Sequence, residues 1–324
     1  MYNFQKDAVI GAIEKIETYG GCIIADSVGL GKTFEALAVM KYYQLRNDRI
    51  LVLAPKKLRE NWTVYQLNDK RNILSEDRLN YDVLNHTDLS RVKGKSGDID
   101  LEMINWGNYD LIVIDESHNF RNNPTRRGIT RYKRLMNDVI KANIRTKVLM
   151  LSATPVNNKM NDLKNQIAFI TEGDDKAFVS KGIDSVAQVM RDAQLKFTRW
   201  FKTGDPDNLD VNSLMENLDG AYFRILDMLT IARSRKHIEK YYDTTEIGKF
   251  PERLKPITIY PEIDTKKQFK DIGQIYDEIS MLSLASYTPL GYVRSEKRKF
   301  YEEKYDMTTH TGSVFKQVDR EQSL

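Results

Sequence analysis

Three short stretches of this chain place residues capable of phosphate chemistry where a fold could bring them together. The first is Asp26-Ser-Val-Gly-Leu-Gly-Lys-Thr33, which follows an apolar run and opens a helical pattern. Gly29 and Gly31 let backbone amides turn towards an anion, and the start of the following helix adds its partial positive charge. In such a loop Lys32 reaches the β- and γ-phosphates of ATP, the Thr33 hydroxyl is a ligand for Mg2+, and Val28, Gly29, Leu30 and Gly31 complete the backbone cradle. Asp26 departs from the general Gly-x-x-x-x-Gly-Lys-Thr pattern, standing where its first glycine belongs.

The second stretch, Leu111-Ile-Val-Ile-Asp-Glu-Ser-His118, is an apolar run ending in two adjacent carboxylates. Ligand chemistry in parallel sheets gathers at the carboxyl ends of strands. That placement suits Asp115 to hold Mg2+ and Glu116 to act as the general base on an attacking water. The third, Val148-Leu-Met-Leu-Ser-Ala-Thr-Pro155, is another apolar run and ends in small hydroxyl residues. Taken alone it also fits an ordinary strand followed by a proline turn.

The elements needed to position these groups follow from the apolar pattern. Residues 21–25, 50–54, 111–114 and 148–151 are short and continuously apolar, as strands buried on both faces are, and 81–84, broken only by Asp82, reads as a further strand. Helical patterns lie between them, at 33–46 and at 129–144, where Ile129, Tyr132, Leu135, Met136, Val139 and Ile140 share a face. Alternating strands and helices imply right-handed crossovers and an α/β fold, a doubly wound three-layer parallel sheet. After residue 171 the strand signal fades. Helical patterns at 183–201 and 211–242 predict an elaboration over 172–249, and 250–324 reads as a linker, with one strand-like run at 257–260, leading into an incomplete second lobe.

Composition narrows the classes. With 41% hydrophobic and 30% charged residues among 324, the chain has material for a sizeable core and lacks the signature of disorder. No apolar run approaches the roughly 20 residues of a membrane-spanning helix, and the first residues have no signal-peptide plan. The expected location is therefore cytoplasmic or nucleoid-associated, with no membrane partner. The single cysteine, Cys22, reads as a core residue, and four scattered histidines make no metal cluster. A net charge of +4 permits nucleic-acid binding without requiring it.

Together with Phe4-Gln5, the three stretches resemble the motif set of helicase superfamily II over residues 1–171, and the acidic residue at 26 resembles the Swi/Snf-type branch. The resemblance implies a RecA-like, P-loop NTPase form of that sheet and a nucleic-acid-dependent ATPase, a DNA translocase or a strand-separating DNA or RNA helicase, with duplex DNA ahead of single-stranded DNA or RNA as partner. It implies that Gln5 reads the adenine edge and that His118, Ser152 and Thr154 couple the nucleotide state to the nucleic-acid groove. Leu53-Ala-Pro-Lys-Lys-Leu58 with Asn61-Trp62 looks like the family's backbone-contacting motif, with Lys56 and Lys57 as contacts. Solvated lysines opening a helix are the alternative. Ile231-Ala-Arg-Ser-Arg-Lys236 resembles its arginine-rich stretch before the second lobe.

Residues 121–147 hold nine basic residues and one acidic residue, and Arg127, Arg131 and Arg134 share a helical face, either a phosphate-tracking surface or a solvated one. The pattern Gln-x-x-Gly-Arg-x-x-Arg of a second lobe is absent from the sequence. The chain is accordingly expected to work with a second RecA-like lobe, in a longer chain or in trans, and to be weak or inactive without it. A nucleotide-binding regulatory module without turnover is the alternative of a different class. A nucleotide kinase is disfavoured by the adjacent Asp-Glu pair.

Overall fold

A computed structural model describes residues 1–123, 129–142, 145–155, 160–203 and 210–245 continuously, and isolated positions beyond them. The chain divides into two units, Met1–Pro251 and Glu252–Leu324. The first is built on strands β1 (Gly21–Ile24), β2 (Ile50–Ala54) and β3 (Asp82–Asn85), a small hairpin of β4 (Lys95–Ser96) and β5 (Ile99–Asp100), then β6 (Leu111–Ile114), β7 (Lys147–Leu151) and β8 (Thr230–Ile231). Its helices are α1 (Asn3–Tyr19), α2 (Lys32–Gln44), α3 (Glu60–Thr63), α4 (Arg131–Arg134), α5 (Met160–Ile170), α6 (Val186–Thr203), α7 (Val211–Asn217), α8 (Gly220–Leu229) and α9 (Arg235–Tyr241).

Six strands form one parallel sheet in the order β3-β2-β6-β7-β1-β8. Every residue of β1, β2 and β6 is buried. The reason is that helices cover both faces. Cys22, Ile24, Val52, Val113 and Leu149 pack towards Ile16 of α1 and Ala36, Val39 and Met40 of α2. The alternate residues Ile23, Leu53, Ile112 and Met150 pack towards Leu163 of α5, Met190 of α6 and Ile225 of α8. Because every strand runs in the same direction, the loops after them all leave from one edge of the sheet, where ligands of open α/β folds bind.

Several expectations need correction. Residues 211–242 form three short helices interrupted by β8, which pairs with β1 through Ile23 and Ile24. Of the helix expected over 129–144, the described residues 129–142 do not form one α-helix: α4 is a single turn, followed by a π-helical stretch at Leu135–Ile140. Tyr132, Leu135, Met136, Val139 and Ile140 are buried as the pattern requires, whereas Ile129 is exposed ahead of the Thr130 cap. A wider π turn keeps the apolar side chains inward while changing the spacing between them. Of the strand expected at 257–260, Ile257 and Thr258 have no regular structure, and residues 259–260 and most of the helical region after them lie outside the described residues.

Candidate active site

The loop after β1 turns through two left-handed glycines, Gly29 (φ 86°) and Gly31 (φ 87°), before α2 begins at Lys32. A side chain at either position would be strained, and at Gly31 a Cβ would also collide with the Gln5 amide. Lys32 Nζ donates to the carbonyl oxygen of Asp26 at 2.9 Å, so the loop's cation caps the loop's own backbone. An open cleft of about 610 Å³ borders Gly31 and Thr33 and runs out past Phe34, Asn61, Tyr65 and Arg71.

Of the other expected loop contacts, Val28 is exposed and Leu30 is not. The Leu30 side chain is buried in a small apolar cluster with Phe4 and Ile238, so only its backbone faces a ligand site. Its carbonyl accepts a hydrogen bond from Gln5 Nε2 at 3.0 Å, while Gln5 Oε1 accepts one from the Tyr2 amide at 3.0 Å. The buried Gln5 is thus already engaged through both ends of its carboxamide, with one hydrogen and one lone pair left over.

Asp26 is fully buried, and its matching cation comes from far along the chain. Arg233 Nε donates to both carboxylate oxygens, at 3.2 and 3.0 Å, Arg233 Nη2 bridges Asp26 and Glu35 Oε1, the latter at 2.9 Å, and the Arg233 amide donates to Asp26 Oδ1 at 2.9 Å. Glu35 is fully buried on α2, with Oε2 unpartnered. Burial, reinforced by the charge of Asp26, pushes Glu35 up to about 8 although Arg233 pulls it down. Sequence reading singled out the stretch containing Arg233 without this role.

The carboxyl end of β6 presents the second group. Asp115 Oδ2 accepts from the indole Nε1 of the fully buried Trp62 at 2.9 Å, and Oδ1 accepts from the Glu116 amide at 2.9 Å. Burial raises the Asp115 carboxyl above the ordinary range, with the Trp62 bond opposing the shift. Glu116 adopts a left-handed backbone (φ 47°), an unusual state for a residue with a side chain, and one that turns the chain sharply at the strand end.

From Glu116 a chain of contacts crosses to the next strand. His118 Nδ1 lies 3.2 Å from Glu116 Oε2 and 3.2 Å from Ser152 Oγ, and Ser152 Oγ accepts from the Thr154 amide at 3.2 Å. A second bridge lies below it: Ser117 Oγ donates to Gln166 Oε1 at 2.7 Å, and Gln166 Nε2 donates to the carbonyls of Pro155 and Asp162. Gln166 carried no motif signal, because a glutamine in an amphipathic helix is unremarkable until its partners are known.

The expected nucleic-acid contacts divide. Lys56 and Lys57 are exposed on a 3-10 turn after β2, and Arg131 is exposed at the start of α4. Arg134 is buried instead: it stacks on Trp106 at 5.3 Å, and its Nε lies 3.4 Å from Asp138 Oδ2. Arg127 lies outside the described residues.

A glycine-turned loop after β1, an acidic pair at the end of β6 and a hydroxyl segment after β7 joined to that pair thus gather at one edge of the parallel sheet. Residues 1–157 match the family described as "Type III restriction enzyme, res subunit". That match covers just under half of the chain, and the same region is homologous to the Swi/Snf-type ATP-dependent helicases.

An uncharacterized ATP-dependent helicase of Bacillus subtilis is 32% identical over 165 residues, covering 50% of this chain and 28% of that protein. The mouse "DNA annealing helicase and endonuclease ZRANB3" is 29% identical over 176 residues, covering 51% of this chain and 15% of that protein. The chain thus spans less than a third of the length of either relative. Among solved structures, the Sulfolobus solfataricus SWI2/SNF2 ATPase core in complex with dsDNA aligns at 19% identity and a TM-score of 0.44, covering 78% of this chain and 47% of that one.

Proposed function

We propose that this chain is the ATP-binding lobe of a DNA-dependent ATPase that translocates along duplex DNA, hydrolysing ATP to ADP and phosphate. One observation carries the reading: His118 stands between Glu116 and Ser152, so the residue placed to handle water is tied to the segment placed to sense it. The names of the relatives, helicases that act on DNA, support the choice of polymer. Residues 1–171 would form the RecA-like lobe, 172–249 its helical elaboration and 250–324 the link to a second lobe.

The residues present fit ATP and a divalent cation. The left-handed glycines leave the loop's backbone open to phosphate oxygens, and Lys32, held to its own loop by carbonyls alone, is available to an anion. Thr33 and Asp115 would hold Mg2+, which when bound supplies positive charge against the phosphates. Trp62 fixes one oxygen of Asp115 and so orients the carboxylate. Glu116 would take the proton of a water whose oxygen attacks the γ-phosphorus, as the bond to the ADP oxygen breaks. His118 would hold Glu116 in place and report its position to Ser152 and Thr154. Lys56, Lys57 and Arg131, all beyond the carboxyl ends of strands, would meet the DNA backbone, with Arg127 assigned to the same surface from sequence alone.

Phosphoryl transfer is catalysed by positioning and charge, and an arginine finger is worth about 1,000- to 100,000-fold in rate. A single lobe offers one wall of that cleft. Steady-state phosphate release by residues 1–324, with and without duplex DNA, is therefore expected to be slow beside a two-lobe form that contains them. Brisk, DNA-stimulated turnover by the single lobe would overturn the two-lobe reading.

A further inference from the structure

The phosphate loop is held by residues outside its own strand and helix. Backbone pairing with β8 continues past the sheet: the Ala25 amide donates to the Ile231 carbonyl at 2.6 Å and the Ser27 amide to the Arg233 carbonyl at 3.0 Å. Arg233 then grips Asp26 and Glu35 with its fork and also donates to the Phe4 carbonyl. Arg235 Nη2 donates to the Val28 carbonyl at 3.1 Å, and Leu30 is pinned between Phe4 and Ile238. The residues from Ala25 to Leu30 are thus contacted from residues 231–238 at nearly every position.

The chemistry of the cluster explains why this grip matters. A glycine at position 26 would need no partner, whereas a buried carboxylate must be matched by a cation. Two buried carboxylates, Asp26 and Glu35, face one arginine, and the next cation within electrostatic reach of Glu35 is Lys32. Without Arg233 those carboxylates would draw on the charge that Lys32 needs for phosphate. The guanidinium keeps Lys32 available, and its planar fork suits a carboxylate in a way an ammonium cannot reproduce.

We infer that Arg233 is a positioning residue for nucleotide binding: docking of residues 231–242 sets the phosphate loop in its phosphate-accepting shape. By linkage, bound nucleotide holds that segment down by the same free energy. The inference rests on the nucleotide-binding reading above. It gives the stretch just before the second unit a nucleotide-dependent stability.

The test uses residues 1–324, titrated calorimetrically with MgADP, and hydrogen exchange of residues 231–242 with and without it. Arg233→Lys is expected to weaken MgADP at least tenfold, and wild type is expected to show nucleotide-dependent protection of residues 231–242 that the variant lacks. Should Arg233→Lys not fold, Asp26→Asn, which keeps the shape and removes the charge, carries the same expectation. Wild-type affinity and unchanged protection in a folded variant would reduce Arg233 to a core ion pair and overturn the inference. No MgADP binding by wild type would instead overturn the nucleotide reading itself, and the two failures differ in whether wild type binds at all.

Discussion

The two ends of the candidate site are held by different kinds of force. At the phosphate loop the restraints are buried and charged: Asp26, Glu35 and Arg233 are all buried, and Leu30 is locked in an apolar cluster. At the carboxylate end the restraints are single contacts that run from the partly exposed Glu116 and His118 to the buried Ser152, each near 3.2 Å. Breaking a buried ion pair by removing one partner costs about 3–5 kcal/mol, whereas one ordinary hydrogen bond contributes about 0.5–1.5 kcal/mol. The loop end is suited to stay formed and the carboxylate end to rearrange. This is the division of labour expected if one end binds and the other couples.

The largest expected effect lies at the rigid end. Lys32→Ala removes the only loop side chain that can set a positive charge against terminal phosphates, and should abolish MgATP binding while leaving thermal unfolding near that of wild type. Equal calorimetric affinity in the two proteins would show that the loop is not the binding end. The next effect separates the ends: Glu116→Gln should retain MgATP affinity, while turnover in a two-lobe form falls about 100- to 10,000-fold, the range for loss of a general base. Undiminished turnover would place the base elsewhere and leave the carboxylate end without its chemistry.

The smallest effect concerns pH and sharpens the account of the buried cluster. Glu35 is raised to about 8 in the folded chain, so between its unfolded value, roughly 4.3, and 8 the folded state binds more protons than the unfolded state. Stability from this group is therefore present at low pH, falls as pH rises through that window and levels off above it. Glu35→Gln should flatten the decline in midpoint temperature between about pH 5 and pH 8. An unaltered slope would mean that Glu35 stays ionised beside Arg233 throughout.

What sequence revealed and what it concealed follow from range. Most strands were legible because burial on both faces leaves four or five apolar residues in a row, Asp115 and Ser152 because each stands where such a run ends, and Lys32 because it follows Gly29 and Gly31 and opens a helix. β8 is two residues long inside a helical pattern, and pairing with β1, not its own composition, makes it a strand. Arg134 looked like a surface cation because its spacing matched Arg131, but Asp138 one turn on and the face of Trp106 let it be buried. The glycine missing at position 26 was visible as a departure. Its compensation was not, because Arg233 lies 207 residues away.

That distance has a consequence for how the protein comes into being. A ribosome adding about 5–20 residues per second takes about 10–40 s to pass from Asp26 to Arg233. Throughout that interval the phosphate loop has been made, β7 is added only part-way through it, and Asp26 and Glu35 lack the guanidinium of Arg233. The nascent chain therefore carries an acidic, unfinished loop until β8 arrives to close the sheet edge. Nucleotide affinity should emerge late in synthesis, in step with release of residue 233 from the exit tunnel.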